Sequence, residues 1–201
     1  MKNLLKKFLI YIIIMILING CNYLNRKPDE YFLRSKVKLE NLRELIRGKD
    51  KLSFIDRATH LSFIHKLFNQ KEIKYKIENY KSDLQIEFEL TKNFQDEIQE
   101  LKKIVFNDLA KSEINDKLIS LDSALSFIDI TKSDIVIIFQ SMKENDITYI
   151  SRFMEDDNSI YFRIDDSFFL IYSENISKLN LERKIIPEKL QDNWYYYKGI
   201  I

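Results

Sequence analysis

The chain has 201 residues, of which 32 are basic and 31 acidic, giving a formal net charge of +1. This balance argues against nucleic acid as a partner, because contact with phosphates needs a basic face. Only three glycines occur, and the chain contains no glycine-rich phosphate loop and no G-x-S-x-G motif. Nucleotide binding and serine-hydrolase chemistry in their common forms are therefore not expected.

The first twenty residues follow the order of an export signal. Lys2, Lys6 and Lys7 precede an uninterrupted apolar run over residues 8–18. A helix of these eleven residues would be roughly 16 Å long, against a hydrocarbon core of roughly 30 Å. The run is too short to span a bilayer, and we predict a cleaved signal.

The end of this segment, Leu17-Ile18-Asn19-Gly20-Cys21, resembles the lipobox of bacterial lipoproteins. An aliphatic residue stands three positions before the cysteine and a small residue just before it. In that family the cysteine thiol receives a diacylglycerol, and the signal is cut before the cysteine. The resemblance implies that acylated Cys21 attaches the mature chain to membrane lipid, on the exported side of the cell membrane or outer membrane. The alternative is an ordinary buried cysteine at the end of an uncleaved anchor.

Lipidation of Cys21 would have consequences for the rest of the chain. Cys21 is the only cysteine, so no internal disulfide can form and no thiol would remain for catalysis or metal binding. Loss of residues 1–20 removes three of the 32 basic residues and none of the 31 acidic ones, which leaves a net charge of −2. The predicted organisation is a signal peptide over residues 1–20, a lipidated tether over 21–32 and one domain over 33–201.

Hydrophobic periodicity predicts a helical hairpin at the start of the domain. Leu39, Leu42 and Ile46 recur at helical spacing, and Gly48 is placed to end that helix. A second helix is predicted from Ser53 to Phe68, with Ser53 as its N-cap.

The pattern then changes to period two. Residues 73–77 and 84–90 alternate apolar with charged side chains, which predicts two half-buried antiparallel strands with complementary lysine and glutamate faces. The longest helix is predicted from Asn93 to Lys111. Residues 115–127 are predicted to form a further helix or an irregular stretch, and the leucine spacing favours the helix.

From Ser133 the sequence becomes rich in β-branched and aromatic residues. Four runs separated by polar turns predict strands over residues 135–142, 147–154, 160–164 and 168–172. A last strand is predicted over residues 193–198, after a loop through Pro187. The predicted fold class is α+β, with the helical hairpin and the long helix packed on an antiparallel sheet that ends in a C-terminal meander.

Titratable residues give little sign of catalytic chemistry. His60 and His65 lie five residues apart, about 140° around a helix, whereas metal-binding pairs use a spacing of three or four. No metal, cofactor or catalytic residue is predicted. Asp156-Asp157 and Asp165-Asp166 fall where turns are expected, and aspartate is favoured in turns because its side chain bonds nearby backbone.

Two arginines and an aromatic cluster are the candidate binding residues. Arg152 and Arg163 lie in neighbouring predicted strands, where a shared solvent face would let them clamp an anion or a carboxylate of a partner. Two solvated arginines are the alternative. Contact with a partner or packing at a sheet edge can each explain the tyrosine-rich run of the last strand, which consists of Trp194, Tyr195, Tyr196 and Tyr197.

These patterns predict a lipid-anchored envelope protein that is not an enzyme and binds another protein, as an immunity protein, an inhibitor or an envelope accessory factor does. A small-ligand carrier or hydrolase with a pocket between helices and sheet is the first alternative. A purely structural envelope lipoprotein is the second.

Overall fold

The computed structural model describes residues 27–59, 73–79, 84–90, 99, 102, 111–114, 117–153, 156–165, 168–179, 181 and 186–198. The chain divides into two compact units, Met1–Arg34 and Ser35–Ile201. The described residues combine helices with an antiparallel sheet, so the α+β class is confirmed. Within these ranges, no helix is both long and apolar enough to cross a membrane.

Three α-helices are described over their whole length: α1 over Pro28–Arg47, α2 over Leu121–Phe127 and α3 over Lys132–Glu144. A short 3-10 helix covers Ile176–Lys178. Helix α1 ends before Gly48, as predicted, and the Gly48 N–H donates to the Glu44 carbonyl at 3.2 Å. The helix begins at Pro28, inside the predicted tether, because proline is well suited to a first helical position.

Helix α3 occupies a segment for which the strand prediction, residues 135–142, is wrong. The Thr131 hydroxyl accepts the Asp134 N–H at 3.1 Å, and the Asp134 carboxylate accepts the Thr131 N–H at 3.0 Å. This reciprocal capping box starts the helix. Its buried residues lie at helical spacing, and they are Ile135, Ile138, Phe139 and Met142.

Within the described residues, ten strands form one sheet, and every described pairing is antiparallel. In chain order the strands are β1 Phe54–Thr59, β2 Ile73–Asn79, β3 Leu84–Leu90, β4 Lys111–Ile114, β5 Lys117–Ser120, β6 Ile147–Phe153, β7 Asp156–Ile164, β8 Phe168–Tyr172, β9 Glu188–Gln191 and β10 Trp194–Tyr197. The strand order across the sheet is β5-β4-β3-β2-β1-β6-β7-β8-β10-β9.

Strand β1 corrects the predicted helical hairpin, whose second helix was to begin at Ser53. Residues 54–59 instead pair with β2 on one side, and Phe54, Ile55 and Asp56 pair with β6 on the other. Ile55 and Arg57 are buried while Phe54 and Asp56 are half-buried, so the segment alternates with period two. The remainder of that predicted helix, residues 60–68, lies outside the described residues.

Some of the other predicted helices and strands are confirmed, and others are wrong or lie partly outside the described residues. Strands β2 and β3 are confirmed, and Lys76 stands opposite Glu87 as the charge pattern predicts. Most of the predicted Asn93–Lys111 helix lies outside the described residues; Gln99 and Lys102 within it are helical, but Lys111 begins β4. The predicted helix over 115–127 is strand β5 in its first part and helix α2 in its second. Strand β9 occupies part of the predicted loop.

The register divides the sheet into two faces. Helix α3 packs on one of them, where the Phe139 ring stacks on Tyr75 at 4.0 Å between ring centroids. This helix-covered face carries the innermost side chains of the core, each no more than 1% exposed: Ile55, Ile77, Ile150, Phe162 and Leu170.

Aspartates shape the turns of this glycine-poor chain. Asp129, Asp146, Asp165 and Asp192 have left-handed backbone conformations, with φ between 51° and 56°. Asparagine and aspartate tolerate this conformation better than other residues that carry a Cβ. The turn predicted at Asp165 is therefore confirmed.

Candidate functional site

The two candidate arginines lie on opposite faces of the sheet, so the predicted arginine pair is not formed. Arg152 pairs with Ile160 across β6 and β7, whereas Arg163 pairs with Tyr149. Because successive side chains of a strand alternate between faces, Arg152 shares the helix-covered face with Ile160 and Arg163 lies on the other face. The expectation of a shared solvent face is wrong.

Arg152 stabilises the carboxyl end of helix α1. Its Nη2 donates to the carbonyl of Ile46, and to that of Arg47 at 3.0 Å. A cation at this end satisfies carbonyls that lack helical partners and opposes the negative end of the helix dipole. Arg152 therefore has a structural role in joining helix to sheet.

Trp194 also belongs to the helix-covered face, where its side chain is fully buried. Its indole N–H donates to the Glu40 carboxylate at 2.7 Å, and the second oxygen of Glu40 accepts from Arg43 Nε at 2.8 Å. The Arg43 guanidinium lies 4.0 Å above the ring of Tyr172, whose ring meets that of Trp194 edge to face at 5.4 Å. We call Glu40, Arg43, Tyr172 and Trp194 the helix clamp, because they tie helix α1 to β8 and β10.

The tyrosines that follow Trp194 divide between the faces. Tyr196 pairs with Leu170 and lies on the helix-covered side, whereas Tyr195 pairs with Ile171 and Tyr197 with Phe169 on the opposite side. The Tyr196 hydroxyl donates to Glu188 at 2.7 Å. Of the predicted aromatic cluster, only Tyr195 and Tyr197 share a face with Arg163.

That opposite face carries a continuous row of aromatic rings over five strands. Adjacent ring centroids lie 5.5 Å apart for Phe54 and Tyr149, 5.9 Å for Tyr149 and Tyr161, and 5.2 Å for Tyr161 and Phe169. Phe153 reaches Tyr161 at 6.3 Å, and Tyr197 stacks on Phe169 at 4.6 Å. We call this surface the aromatic face and define it by Phe54, Tyr149, Phe153, Tyr161, Phe169, Tyr195 and Tyr197.

Most rings of the aromatic face are half-buried. Phe169 is buried, at 7% exposure, because its ring lies between those of Tyr161 and Tyr197. Offset and edge-to-face contacts of this kind are the favoured arrangements of aromatic pairs. The rings therefore support one another and hold a preorganised surface.

Tyr161 is the hub of the aromatic face, with ring contacts to four of its neighbours. Its hydroxyl lies 3.4 Å from that of Tyr197, which donates to it. Burial raises the pKa of the Tyr161 phenol well above its ordinary value of 10.0. Tyr161 is therefore the side chain that connects the rings of β6, β7, β8 and β10.

Arg163 brings positive charge to this face. It stands in register between Tyr149 and Phe169, and its guanidinium carbon lies 6.0 Å from the centre of the Phe169 ring. Arginine beside aromatic rings is a common composition of protein interfaces. The arrangement offers flat apolar surface, phenol hydroxyls and a planar cation.

Sequence reasoning missed five residues of the aromatic face: Phe54, Tyr149, Phe153, Tyr161 and Phe169. The sequence does contain a signal, because aromatic or arginine residues stand an even number of positions apart within a strand, as Tyr149 and Phe153 do and as Tyr161 and Arg163 do. Finding the face needed the pairing register of β1, β6, β7 and β8.

The helix end and the sheet enclose a small hollow lined by Ile46, Leu52, Ile55, Ile150 and Arg152, among others. It has essentially no room for a water molecule, whereas pockets for small ligands begin at roughly 300 Å³. This hollow is therefore too small for the ligand pocket of the carrier or hydrolase alternative.

Of the two aspartate pairs, the structure describes the side chains of Asp156 and Asp165. Asp156 begins β7, where its carboxylate accepts the Asn158 N–H at 3.1 Å and the Ser159 hydroxyl at 2.5 Å. Asp165 forms a turn. Within the described ranges, no group of three or more histidine, cysteine or acidic side chains is placed to hold a metal ion. Cys21, His60 and His65 lie outside the described residues.

The chain was compared with protein families, curated proteins and solved structures. No family model, curated protein or solved structure matches the chain. The geometry of the two faces is therefore the basis for assigning a function.

Proposed function

We propose that the protein is a lipid-anchored component of the bacterial cell envelope that binds another protein through the aromatic face. The anchor is inferred from the basic start, the apolar run and the lipobox-like residues that end at Cys21. Two acyl chains would make the attachment stable, since each buried CH₂ contributes about 0.8 kcal/mol.

The observation that carries the binding proposal is the continuity of the aromatic face. Rings from β1, β6, β7, β8 and β10 form one connected row, with Arg163 in register among them. Tyrosine gives a partner large contact area and a polar tip at a low cost in side-chain entropy. Such surfaces are enriched in the residues that dominate protein-binding energy.

The two faces of the sheet make different contacts, and this difference supports the proposal. Trp194 and Arg152 are engaged with helix α1, so their contribution is to stability. Tyr149, Tyr161 and Tyr195 are half-buried on the opposite face, where none of the described contacts to α1 or α3 lies. A protein can therefore dock there without displacing either helix.

The binding proposal is tested by site-specific photo-crosslinking in intact cells. A benzophenone amino acid replaces Tyr149 or Tyr195 on the aromatic face, and Phe127 serves as the control because it is an exposed aromatic residue at the end of α2. We expect one discrete protein adduct, shared by both face positions and missing at Phe127. Identification by mass spectrometry then names the partner.

Two results would count against binding through this face. The first is labelling at Tyr149 and Tyr195 no stronger than at Phe127, which would favour a purely structural envelope lipoprotein. The second is an adduct that persists unchanged when Arg163→Glu is combined with the crosslinker, because reversal of a central charge disturbs a true interface.

The anchor has its own test. The Cys21→Ala variant should no longer incorporate labelled fatty acid, and its signal should no longer be cut in the normal way. Continued labelling of that variant would refute the lipid anchor and leave the aromatic face to be judged separately.

A further inference from the structure

Helix α1 carries two exposed aliphatic side chains that lie close together on its surface. Leu33 is 70% exposed and Val37 is 73% exposed. The two residues stand four positions apart on one helix, so their side chains are neighbours on its surface. Solvent contact with adjacent apolar side chains is unfavourable, and an interaction that removes them from water is favoured.

The length of chain before the helix limits how far these side chains lie from the bilayer. Seven peptide units connect Cys21 to Pro28, and fully extended they span at most about 24 Å. Leu33 lies about 8 Å further along the helix and Val37 about 14 Å further. A lipid on Cys21 therefore keeps both residues within reach of the headgroup layer.

We propose that Leu33 and Val37 insert into the interface of the bilayer that holds Cys21, as a second, non-covalent membrane contact. This inference rests on the proposed lipid anchor. The anchor makes the contact intramolecular, so weak insertion is sufficient at the high effective concentration that a short tether produces. Arg34, which is exposed beside Leu33, supplies a cation for lipid phosphates. The contact would fix the orientation of helix α1 at the membrane.

The single native cysteine makes this inference directly testable. A lipid on Cys21 blocks the only native thiol, so an introduced cysteine is a unique labelling site. Full-length, lipidated Leu33→Cys and Val37→Cys variants are labelled with bimane and reconstituted into vesicles of phosphatidylethanolamine and phosphatidylglycerol. Ile137→Cys is the matched control, because Ile137 is a 53% exposed aliphatic residue on α3.

Lipids brominated on their acyl chains then report depth by quenching. We expect quenching at positions 33 and 37 to be several-fold stronger than at position 137, with a blue shift of the bimane emission. Both positions are exposed, so the variants should keep their fold, which far-UV circular dichroism verifies.

The outcomes separate the inference from the anchor on which it rests. Quenching at 33 and 37 no greater than at 137, on vesicles that retain the lipidated protein, would overturn the second contact alone. A mass for the purified protein that shows no acyl chain on Cys21 would overturn the anchor and the second contact together.

Discussion

Loss of the Glu40 carboxylate should destabilise the protein far more than loss of a neighbouring glutamate on the same helix. Glu40 is shared by the Trp194 indole at 2.7 Å and by Arg43 Nε at 2.8 Å. In Glu40→Ala the fully buried indole N–H loses the carboxylate to which it donates, which costs about 1–3 kcal/mol. Arg43, whose side chain is 10% exposed, also loses a charge-assisted hydrogen bond.

Together these losses predict a fall of about 2–4 kcal/mol in the free energy of unfolding, a large share of the roughly 5–15 kcal/mol typical of a domain. The matched control is Glu44→Ala, because Glu44 also contacts Arg43 but its side chain is 58% exposed. An exposed ion pair contributes less than about 1 kcal/mol. Glu40→Gln should fall between the two, since its amide oxygen can still accept one of the hydrogen bonds.

Urea unfolding measures these differences, and Trp194, the only tryptophan, is a fluorescent probe within the clamp itself. A double-mutant cycle of Glu40→Ala with Trp194→Phe, followed by far-UV circular dichroism, should give a coupling energy of about 1 kcal/mol or more. Equal stability of Glu40→Ala and Glu44→Ala, or a coupling energy near zero, would refute the reasoning.

Three further predictions concern other parts of the fold. Phe139→Ala should cost about 3–5 kcal/mol in urea unfolding, because this buried ring packs on Tyr75 and Phe88, and a cost below about 1 kcal/mol would contradict that packing. At Asp129, where φ is 56°, the glycine variant should be more stable than the alanine variant by about 1–2 kcal/mol, since only alanine is strained there; equal melting temperatures would contradict it. Burial acts to raise the pKa of Asp134, but hydrogen bonds from Thr131 and from Lys49 lower it overall below 3.8. A carboxyl group whose pKa is lower in the folded than in the unfolded state stabilises the fold at pH values above its unfolded pKa. This stabilisation is lost as the pH falls through the folded-state pKa. The Asp134→Asn variant should therefore lose less stability on acidification than the native protein. An equal loss of unfolding free energy in the two proteins would contradict the lowered pKa of Asp134.

Strands with one polar face were predictable from sequence, and segments governed by contacts distant in sequence were not. The alternation of lysine and glutamate with apolar residues placed β2 and β3 correctly, because period two with a charged face fits a half-buried strand. Helix α3 was mispredicted because Ile135-Val136-Ile137-Ile138 is rich in β-branched residues, which favour strands. The capping box of Thr131 and Asp134 and the helical spacing of the buried residues outweigh that preference.

The candidate arginine pair failed for a reason that residue spacing cannot reveal. Over residues 149–152, even-numbered positions of β6 share a face with even-numbered positions of β7, so Arg152 and Arg163 are separated by the sheet. Which residues of β6 and β7 share a face depends on the pairing register of the hairpin, and this register shifts near Ile147 and again near Phe153. A bulge inserts one residue, so the side chains beyond it change faces. The face on which each arginine lies therefore cannot be read from the sequence when the register is unknown.

The same register separates side chains that stabilise the fold from those available for binding. Half of the predicted binding residues, Arg152, Trp194 and Tyr196, lie on the helix-covered face, where the first two join the sheet to helix α1. Substitutions there would reduce binding by unfolding the protein, so they cannot identify an interface. Tyr195 and Arg163 are half-buried on the opposite face, where their replacement removes little of the core. Variants at these two positions can therefore abolish binding while the urea midpoint is preserved, and that combination distinguishes an interface from a structural surface.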